Sequence, residues 1–278
     1  MPSTILQPRS LKELWRALPS VGASRKYLAG GTDLVARSGA GGRELWVDIS
    51  GVRELLGIKE TTASVIIGAG VKIAELGRSE AVRRWLPALH AAVPHFASPP
   101  IRNMATVGGN AANASPCADA VCALCAEGAR IRLELKGARR QLPLPEFFRG
   151  PGKTALRKDE LITAFEIPKR PRRGAYLKLG PRAYFGISKA AVGVVLELDG
   201  AVIRSASIAL ASVAPVSLPA VRTSAYLKGR ALNAENARTA AALVKTEVSP
   251  ITDLRSEAEY RREMCGVLLE RALNGMKR

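Results

Sequence analysis

Apolar residues along the chain recur with two periods, and the alternation between them predicts a fold of mixed helices and strands. Leu11, Leu14, Trp15 and Leu18 fall at helical spacing behind Ser10 and Glu13, a capping-box pair, so a helix opens there and ends at Pro19. Tyr27-Leu28-Ala29 reads as a short strand running into Gly30-Gly31-Thr32-Asp33, and Leu45, Val47 and Ile49 alternate as a half-buried strand does. Ser64 to Ile67 is a further strand, followed by helical segments from Ile73 to Ala92 with Arg83-Arg84 on a solvated face. Pro94 to Pro116, rich in Pro, Gly, Asn and Ser, reads as a long irregular stretch, and such stretches inside compact domains tend to be functional.

Helical periodicity returns from Ala118 to Glu127 and stops at Gly128. Ile131, Leu133 and Leu135 alternate up to a turn at Lys136-Gly137, and Leu161 to Ile167 forms a strand stopped by Pro168. The basic, proline-containing stretch from Pro168 to Gly174 reads as a linker between domains. Beyond it, Val192 to Leu198 and Ala201 to Ala211 flank Asp199-Gly200, a hairpin signal, and Tyr176 to Leu179 supplies a third strand. Helices follow near Val221 to Leu227 and Glu235 to Thr246. A last helix, about Ser256 to Leu273, carries Tyr260, Met264, Val267 and Leu268 on its buried face, with Gly275 as its C-cap. There is no internal repeat.

Composition narrows the function classes. In 278 residues, 47% are hydrophobic, enough for a packed core. Lys and Arg number 42 against 24 Asp and Glu, a net charge of +18, which raises a nucleic-acid reading. The cations, however, are dispersed in pairs, Arg25-Lys26, Arg83-Arg84, Arg139-Arg140 and Arg261-Arg262, with one denser cluster from Lys169 to Arg173. Aromatics are only 5%, too few to interleave stacking platforms among the basic residues. The expectation is no nucleic-acid partner and a surface charge matched to acidic protein partners, with Lys169 to Arg173 the first place to look. No apolar run reaches the length of a membrane span. Met1-Pro2-Ser3-Thr4 lacks a secretory pattern, and with four cysteines the chain is expected to be cytoplasmic with reduced thiols.

Two glycine-centred segments carry the candidate chemistry: Ala29-Gly30-Gly31-Thr32-Asp33-Leu34 and Thr106-Val107-Gly108-Gly109-Asn110. Successive backbone N–H groups in such loops form concavities for phosphate oxygens, so the pair can grip a pyrophosphate from both sides; either alone reads rather as a tight turn, since glycine pairs are common. Neither matches G-x-G-x-x-G, and Gly150-Pro151-Gly152-Lys153-Thr154 is not a P-loop, because Phe147 stands where its first glycine belongs. Cys117, Cys122 and Cys125 have the spacing of three ligands of a plant-type [2Fe–2S] site. They fall on a predicted helix rather than a loop, and Cys265 is 140 residues beyond Cys125, which favours structural thiols. His90 and His95 fit no zinc or triad spacing and read as structural, so no acid–base catalyst and no metal ligand is assigned.

The strings Tyr27 to Val35, Ala97 to Asn110 (ASPPIRNMATVGGN), Ala114-Ser115-Pro116 and Ala118-Asp119 resemble the FAD-binding subunit of molybdenum hydroxylases, the family of bacterial xanthine dehydrogenase and carbon monoxide dehydrogenase. The resemblance continues through Phe147 to Thr154, Asp159-Glu160-Leu161-Ile162, Ile167-Pro168 and the Ala258 to Arg262 helix, essentially the whole chain. It implies an α+β fold of the vanillyl-alcohol-oxidase type: an FAD-binding domain over 1–168, with subdomains of about 1–55 and 56–168, and a C-terminal α+β domain over 174–278 with an antiparallel sheet and helices. It also implies cofactor contacts from Leu28, Ala29, Gly30, Gly31, Thr32, Asp33 and Leu34, and from Thr106, Val107, Gly108, Gly109 and Asn110. Phe96 would lie along the cofactor, Asp119 would accept a hydrogen bond from it, and Leu161 and Lys178 would line the flavin end, near Pro181 to Ser188. Phe96 and Leu161 read otherwise as core, and Lys178 as a solvated strand residue. By the same resemblance, molybdopterin and [2Fe–2S] belong to a large and a small partner subunit. Electrons pass through FAD here to NAD⁺ or another acceptor. The rival is a free-standing FAD-dependent oxidoreductase of the same fold.

Overall fold

The computed structural model describes residues 5–18, 25–37, 45–182 and 185–277; the expected helix end at Pro19 and residues Ala183 and Tyr184 lie outside them. The first unit is built from β1 (Ile5–Leu6), α1 (Leu11–Ala17), β2 (Arg25–Leu28), α2 (Leu34–Arg37) and β3 (Leu45–Asp48), with the strands parallel in the order β1-β3-β2. Ser10 Oγ accepts from the Glu13 N–H at 3.1 Å, but the Glu13 carboxylate returns to the Arg9 N–H, 2.7 Å, rather than to that of Ser10. Leu11, Leu14 and Leu18 bury their side chains with Val47 and Ile49.

The second unit centres on an antiparallel sheet of β4 (Ile58–Glu60), β5 (Ser64–Gly68), β6 (Arg130–Leu135), β7 (Ala138–Pro143) and β10 (Leu161–Pro168), ordered β4-β5-β10-β6-β7, with β8 (Phe148–Gly150) and β9 (Lys153–Thr154) as a separate hairpin. The segment from Ile73 to Ala92 is three helices, α3 (Ile73–Arg78), α4 (Glu80–Trp85) and α5 (Pro87–Ala92). Ser79 ends the first and caps the second, its Oγ accepting from the Val82 N–H, and Pro87 opens the third. The stretch expected to be irregular contains two further helices, α6 (Pro99–Met104) and α7 (Val107–Asn113). Pro99 and Pro100 occupy a first turn in which no N–H is needed, behind a Ser98 cap, so proline there starts a helix instead of excluding one. All eight residues of α8 (Asp119–Ala126) are buried, and Gly128 closes that helix at φ +72°.

The third unit has the antiparallel order β11 (Arg173–Leu179), β12 (Ala190–Asp199), β13 (Val202–Ala211), β14 (Leu218–Pro219), joined between β12 and β13 by the expected turn with Gly200 at φ +57°. One side packs on α8, where a Cβ on Gly193 would sit 3.2 Å from Ala126 Cβ. Helices α9 (Val221–Leu227), α10 (Ala234–Val244) and α11 (Ala258–Gly275) share a second core with β12 and β13. The buried face of α11 differs from the expectation: Tyr260 is exposed and Met264 and Val267 are half-buried, while Arg261, Cys265, Leu268, Leu269 and Ala272 are buried. Arg261 can occupy the core-facing stripe because Asp253 Oδ1 and the Ser212 carbonyl take its guanidinium N–H groups at 2.6 and 3.0 Å.

The basic linker is not a free patch. Lys169 pairs with Glu60 at 2.6 Å, Arg170 with Glu197 at 3.2 Å, and Arg173 donates to the Met276 carbonyl at 2.6 Å. Arg172 is buried and donates to the carbonyls of Trp85, Glu127 and Pro168 while pairing with the buried Glu127 carboxylate at 3.3 Å. That carboxylate also accepts from the Ala88 and Leu89 N–H groups at the start of α5. These cations lock the second unit to the third, which overturns the expectation that they wait for a partner.

Burial pushes the Glu127 carboxyl up to about 7, against Arg172 and the two N–H groups. Between its ordinary value and about pH 7 the folded chain holds this proton longer than the unfolded chain, so its contribution to stability falls as pH rises through that window. Urea unfolding across pH should show Glu127→Gln flattening this part of the profile. Glu127→Ala should cost about 3–5 kcal/mol by leaving Arg172 buried and unpaired.

Candidate functional site

The parallel sheet of the first unit delivers Leu28, Ala29 and Gly30 to the joint between α6 and α7. A Cβ on Gly30 would lie 2.2 Å from the Met104 carbonyl oxygen, so only glycine permits this approach. Gly108 is equally constrained, since its added Cβ would meet the Ala69 carbonyl oxygen at 2.7 Å. Arg37 of α2 ties the far side, donating to Asn113 Oδ1 at 3.1 Å. Between these contacts is a cavity of about 110 Å³ whose wall includes Ala29, Thr106, Gly108, Gly109 and Leu161, expected from the sequence, and Tyr27, Ile49, Leu156 and Glu160, which were not.

The two glycine segments have different chemistry. The N–H groups of Gly30, Gly31, Thr32 and Asp33 donate to no acceptor among the described residues, and Gly31 adopts φ +71°. Four successive free amides of this kind form a concavity for anionic oxygens. The second segment is the start of α7 rather than a loop. Val107 and Gly108 donate to the carbonyls of Val71 and Ala69 at 3.0 and 2.8 Å, Gly109 to Thr106 Oγ1 at 3.0 Å, and Asn110 to the Thr106 carbonyl at 2.9 Å. A grip on pyrophosphate by amides from both sides therefore reduces to amides on one side only. What α7 offers is the Asn110 side chain, next in sequence to the cavity-lining Gly109, whose Oδ1 is buried without a partner and can accept from a hydroxyl-bearing ligand.

Phe96, Asp119 and Lys178 meet elsewhere, where β11 crosses the start of α8. Asp119 is buried, with Oδ1 accepting from Tyr176 Oη at 2.6 Å and Oδ2 from Lys178 Nζ at 2.7 Å; Lys178 also donates to the His95 carbonyl, beside Phe96, at 2.9 Å. Lys178 is thus buried and paired, not solvated. Burial raises the Asp119 carboxyl, opposed chiefly by the Lys178 ammonium, and the same burial pushes the Tyr176 hydroxyl well up. Phe96 is half-buried against the core of the second unit, and Leu161 is buried between the first unit's core and the cavity. Tyr176 carried no signal in the sequence, because only the crossing of β11 over α8 brings it to Asp119. Glu160 had one, its place beside Leu161. Arg140 holds it with two contacts of 2.6 Å.

Of the thiols, Cys122 and Cys125 are buried in α8 and Cys265 in α11. Cys122 Sγ donates to the Ala209 carbonyl at 3.4 Å, and burial pushes its thiol well up and that of Cys125 up to about 12, so both stay protonated near neutrality.

Comparison with known proteins agrees with this geometry. Residues 1–170 match the family model described as the FAD binding domain in molybdopterin dehydrogenase, and 175–276 match the CO dehydrogenase flavoprotein C-terminal domain. The carbon monoxide dehydrogenase medium chain of Afipia carboxidovorans is 34% identical over 98% of this chain and 95% of its own length. The xanthine dehydrogenase FAD-binding subunit of Escherichia coli O157:H7 is 28% identical over 90% and 87%. Reconstituted CO dehydrogenase from Oligotropha carboxidovorans superposes with a TM-score of 0.92 at 33% identity, covering 100% of this chain and 98% of that one. The α+β architecture, an FAD-binding domain followed by a C-terminal domain, is theirs. The chain belongs to the family of FAD-binding medium subunits of molybdenum hydroxylases, and is an oxidoreductase component whose cofactor is FAD.

Gly30→Ala should lower the unfolding free energy by about 1–3 kcal/mol, since neither backbone at the contact has a flexible end to yield. Asp119→Ala should cost about 3–5 kcal/mol by stranding Lys178, and the Asp119→Leu, Lys178→Met double variant should recover much of it. Chemical denaturation of the four chains reads both effects.

Proposed function

We propose that this chain carries electrons from a [2Fe–2S] partner subunit, reduced by a molybdopterin-bearing large subunit, through FAD to NAD⁺ or another acceptor. The observation that carries the reading is the run of four free amides from Gly30 to Asp33, which follows Ala29 in the wall of a cavity also lined by Thr106, Gly108, Gly109 and Leu161. FAD supplies the redox chemistry, accepting electrons singly and releasing them as hydride. The chain's own residues bind and orient it. Within the segment Leu28 to Leu34, the free N–H groups of Gly30 to Asp33 would hold the pyrophosphate, which needs no Lys or Arg. Thr106 to Asn110 would form the facing side, where Asn110 Oδ1 would accept a hydrogen bond from a hydroxyl of the cofactor. Leu161 contributes an apolar, water-excluding surface, while Phe96, Asp119 and Lys178 set the far end of the site through the β11 crossing.

The division that goes with this reading is 1–55 and 56–168 for the two halves that clasp the cofactor, and 174–278 for the C-terminal domain. Four free cysteines fit a cytoplasmic location. Among the described residues, no helix is long and apolar enough to cross a membrane.

The folded chain titrated with FAD should acquire a protein-bound flavin spectrum, and Asn110→Ala should weaken binding by about tenfold, the worth of one buried hydrogen bond. A folded chain that takes up no flavin at excess FAD would overturn the cofactor assignment. Transfer to NAD⁺ is read separately: in the purified complex, NADH should bleach the flavin band, and an unbleached band points to another acceptor.

A further inference from the structure

A second, larger cavity lined by the described residues does not contain the glycine segments. It is an open groove of about 1140 Å³ against about 110 Å³ for the dinucleotide cavity, and no residue lines both. One wall is α1; the floor is the outer face of the five-stranded sheet, where Ile66 and the exposed Leu56 supply apolar surface. Four more cations than carboxylates line it. Arg132 and Arg139 are neutralised by Glu166 and Glu134 on the same sheet face at 2.6 and 2.8 Å, and Arg140 reaches through the wall to Glu160. Lys12, Arg16, Lys59 and Lys136 are exposed and have no carboxylate partner among the described residues.

The placement of these four decides the kind of ligand. Lys12 and Arg16 stand one turn apart on α1, Lys59 is on β4, and Lys136 is in the turn between β6 and β7. They surround the groove from three elements instead of converging on a point. A compact phosphate is held by convergent amides or clustered guanidinium groups, and three of the groove's four guanidinium groups are already spent on Glu166, Glu134 and Glu160, which leaves Arg16 alone on α1. An extended polyanion with apolar interruptions suits both the spacing and the floor. We propose that this groove seats an acidic, extended segment of a partner polypeptide. Its cations would steer and register that segment, with affinity falling as salt screens them.

The probe is a fluorescent dodecaglutamate peptide titrated against the FAD-loaded full chain. The charge-reversed variant Lys12→Glu, Arg16→Glu, Lys59→Glu, Lys136→Glu is compared with a control reversing Lys228, Arg238, Arg271 and Lys277, exposed cations of the third unit. The groove variant should bind at least about tenfold more weakly and the control within about twofold of wild type, both with unchanged flavin uptake. Acetylation of the unaltered chain gives a second reading, independent of how the variants fold: bound peptide should protect Lys12, Lys59 and Lys136 and leave Lys228 reactive. Equal losses in the two variants would reduce the effect to overall charge and overturn the proposal. Stronger binding of ATP than of the peptide at the same groove, or no protection of the three lysines, would overturn it as well.

Discussion

The structure depends on two places where backbone meets backbone without an intervening side chain: Gly30 against Met104 and Gly108 against Ala69. A side chain at Gly30 would push the first unit off the second, and one at Gly108 would push α7 off the end of β5 within the second unit. The consequence is chemical as well as mechanical. Gly108 and Val107 spend their amides on Ala69 and Val71 to make the junction, while Gly30 to Asp33, held against it, keep theirs free. One glycine segment is the fastener and the other is the cradle.

A second constraint is the way charge is buried. Glu127 with Arg172, and Asp119 with Lys178, sit at the two places where β11 and its approach cross the helices of the FAD-binding domain. Each pair is costly to desolvate and is supported by further hydrogen bonds, from Ala88 and Leu89 in one case and Tyr176 in the other. Such pairs fix register better than they add stability, and here they register the third sheet on α8. Lys178, which fixes Asp119, belongs to a domain that lines none of the cavity beside Ala29 and Thr106.

Much of this was legible in the residues. β3 and β6 followed from alternation, the β12–β13 hairpin from Asp199-Gly200 and α8 from its helical pattern and glycine stop, whereas β1, β4, β8, β9 and β14 were not anticipated. Local rules misled where one residue type serves two roles. Proline and glycine between Pro94 and Pro116 look like loop formers, yet Pro99 and Pro100 begin α6 and Gly108 is inside α7, because capping and close packing override propensity there. Arg261 on the core side of α11 contradicts a hydrophobic stripe until Asp253 is placed beside it.

The sequence by itself carried the family resemblance, through the run from Ala97 to Asn110, and that resemblance implied the α+β architecture and the flavin cofactor. Net charge was equally plain, but its distribution was not. Only the tertiary structure decided that the densest basic cluster, Lys169 to Arg173, is consumed inside the chain, and that scattered cations on α1, β4 and the β6–β7 turn meet around one groove. The reason is physical: a charge acts through its distance to other charges, and the residues that neutralise or reinforce it are up to 109 positions away along the chain.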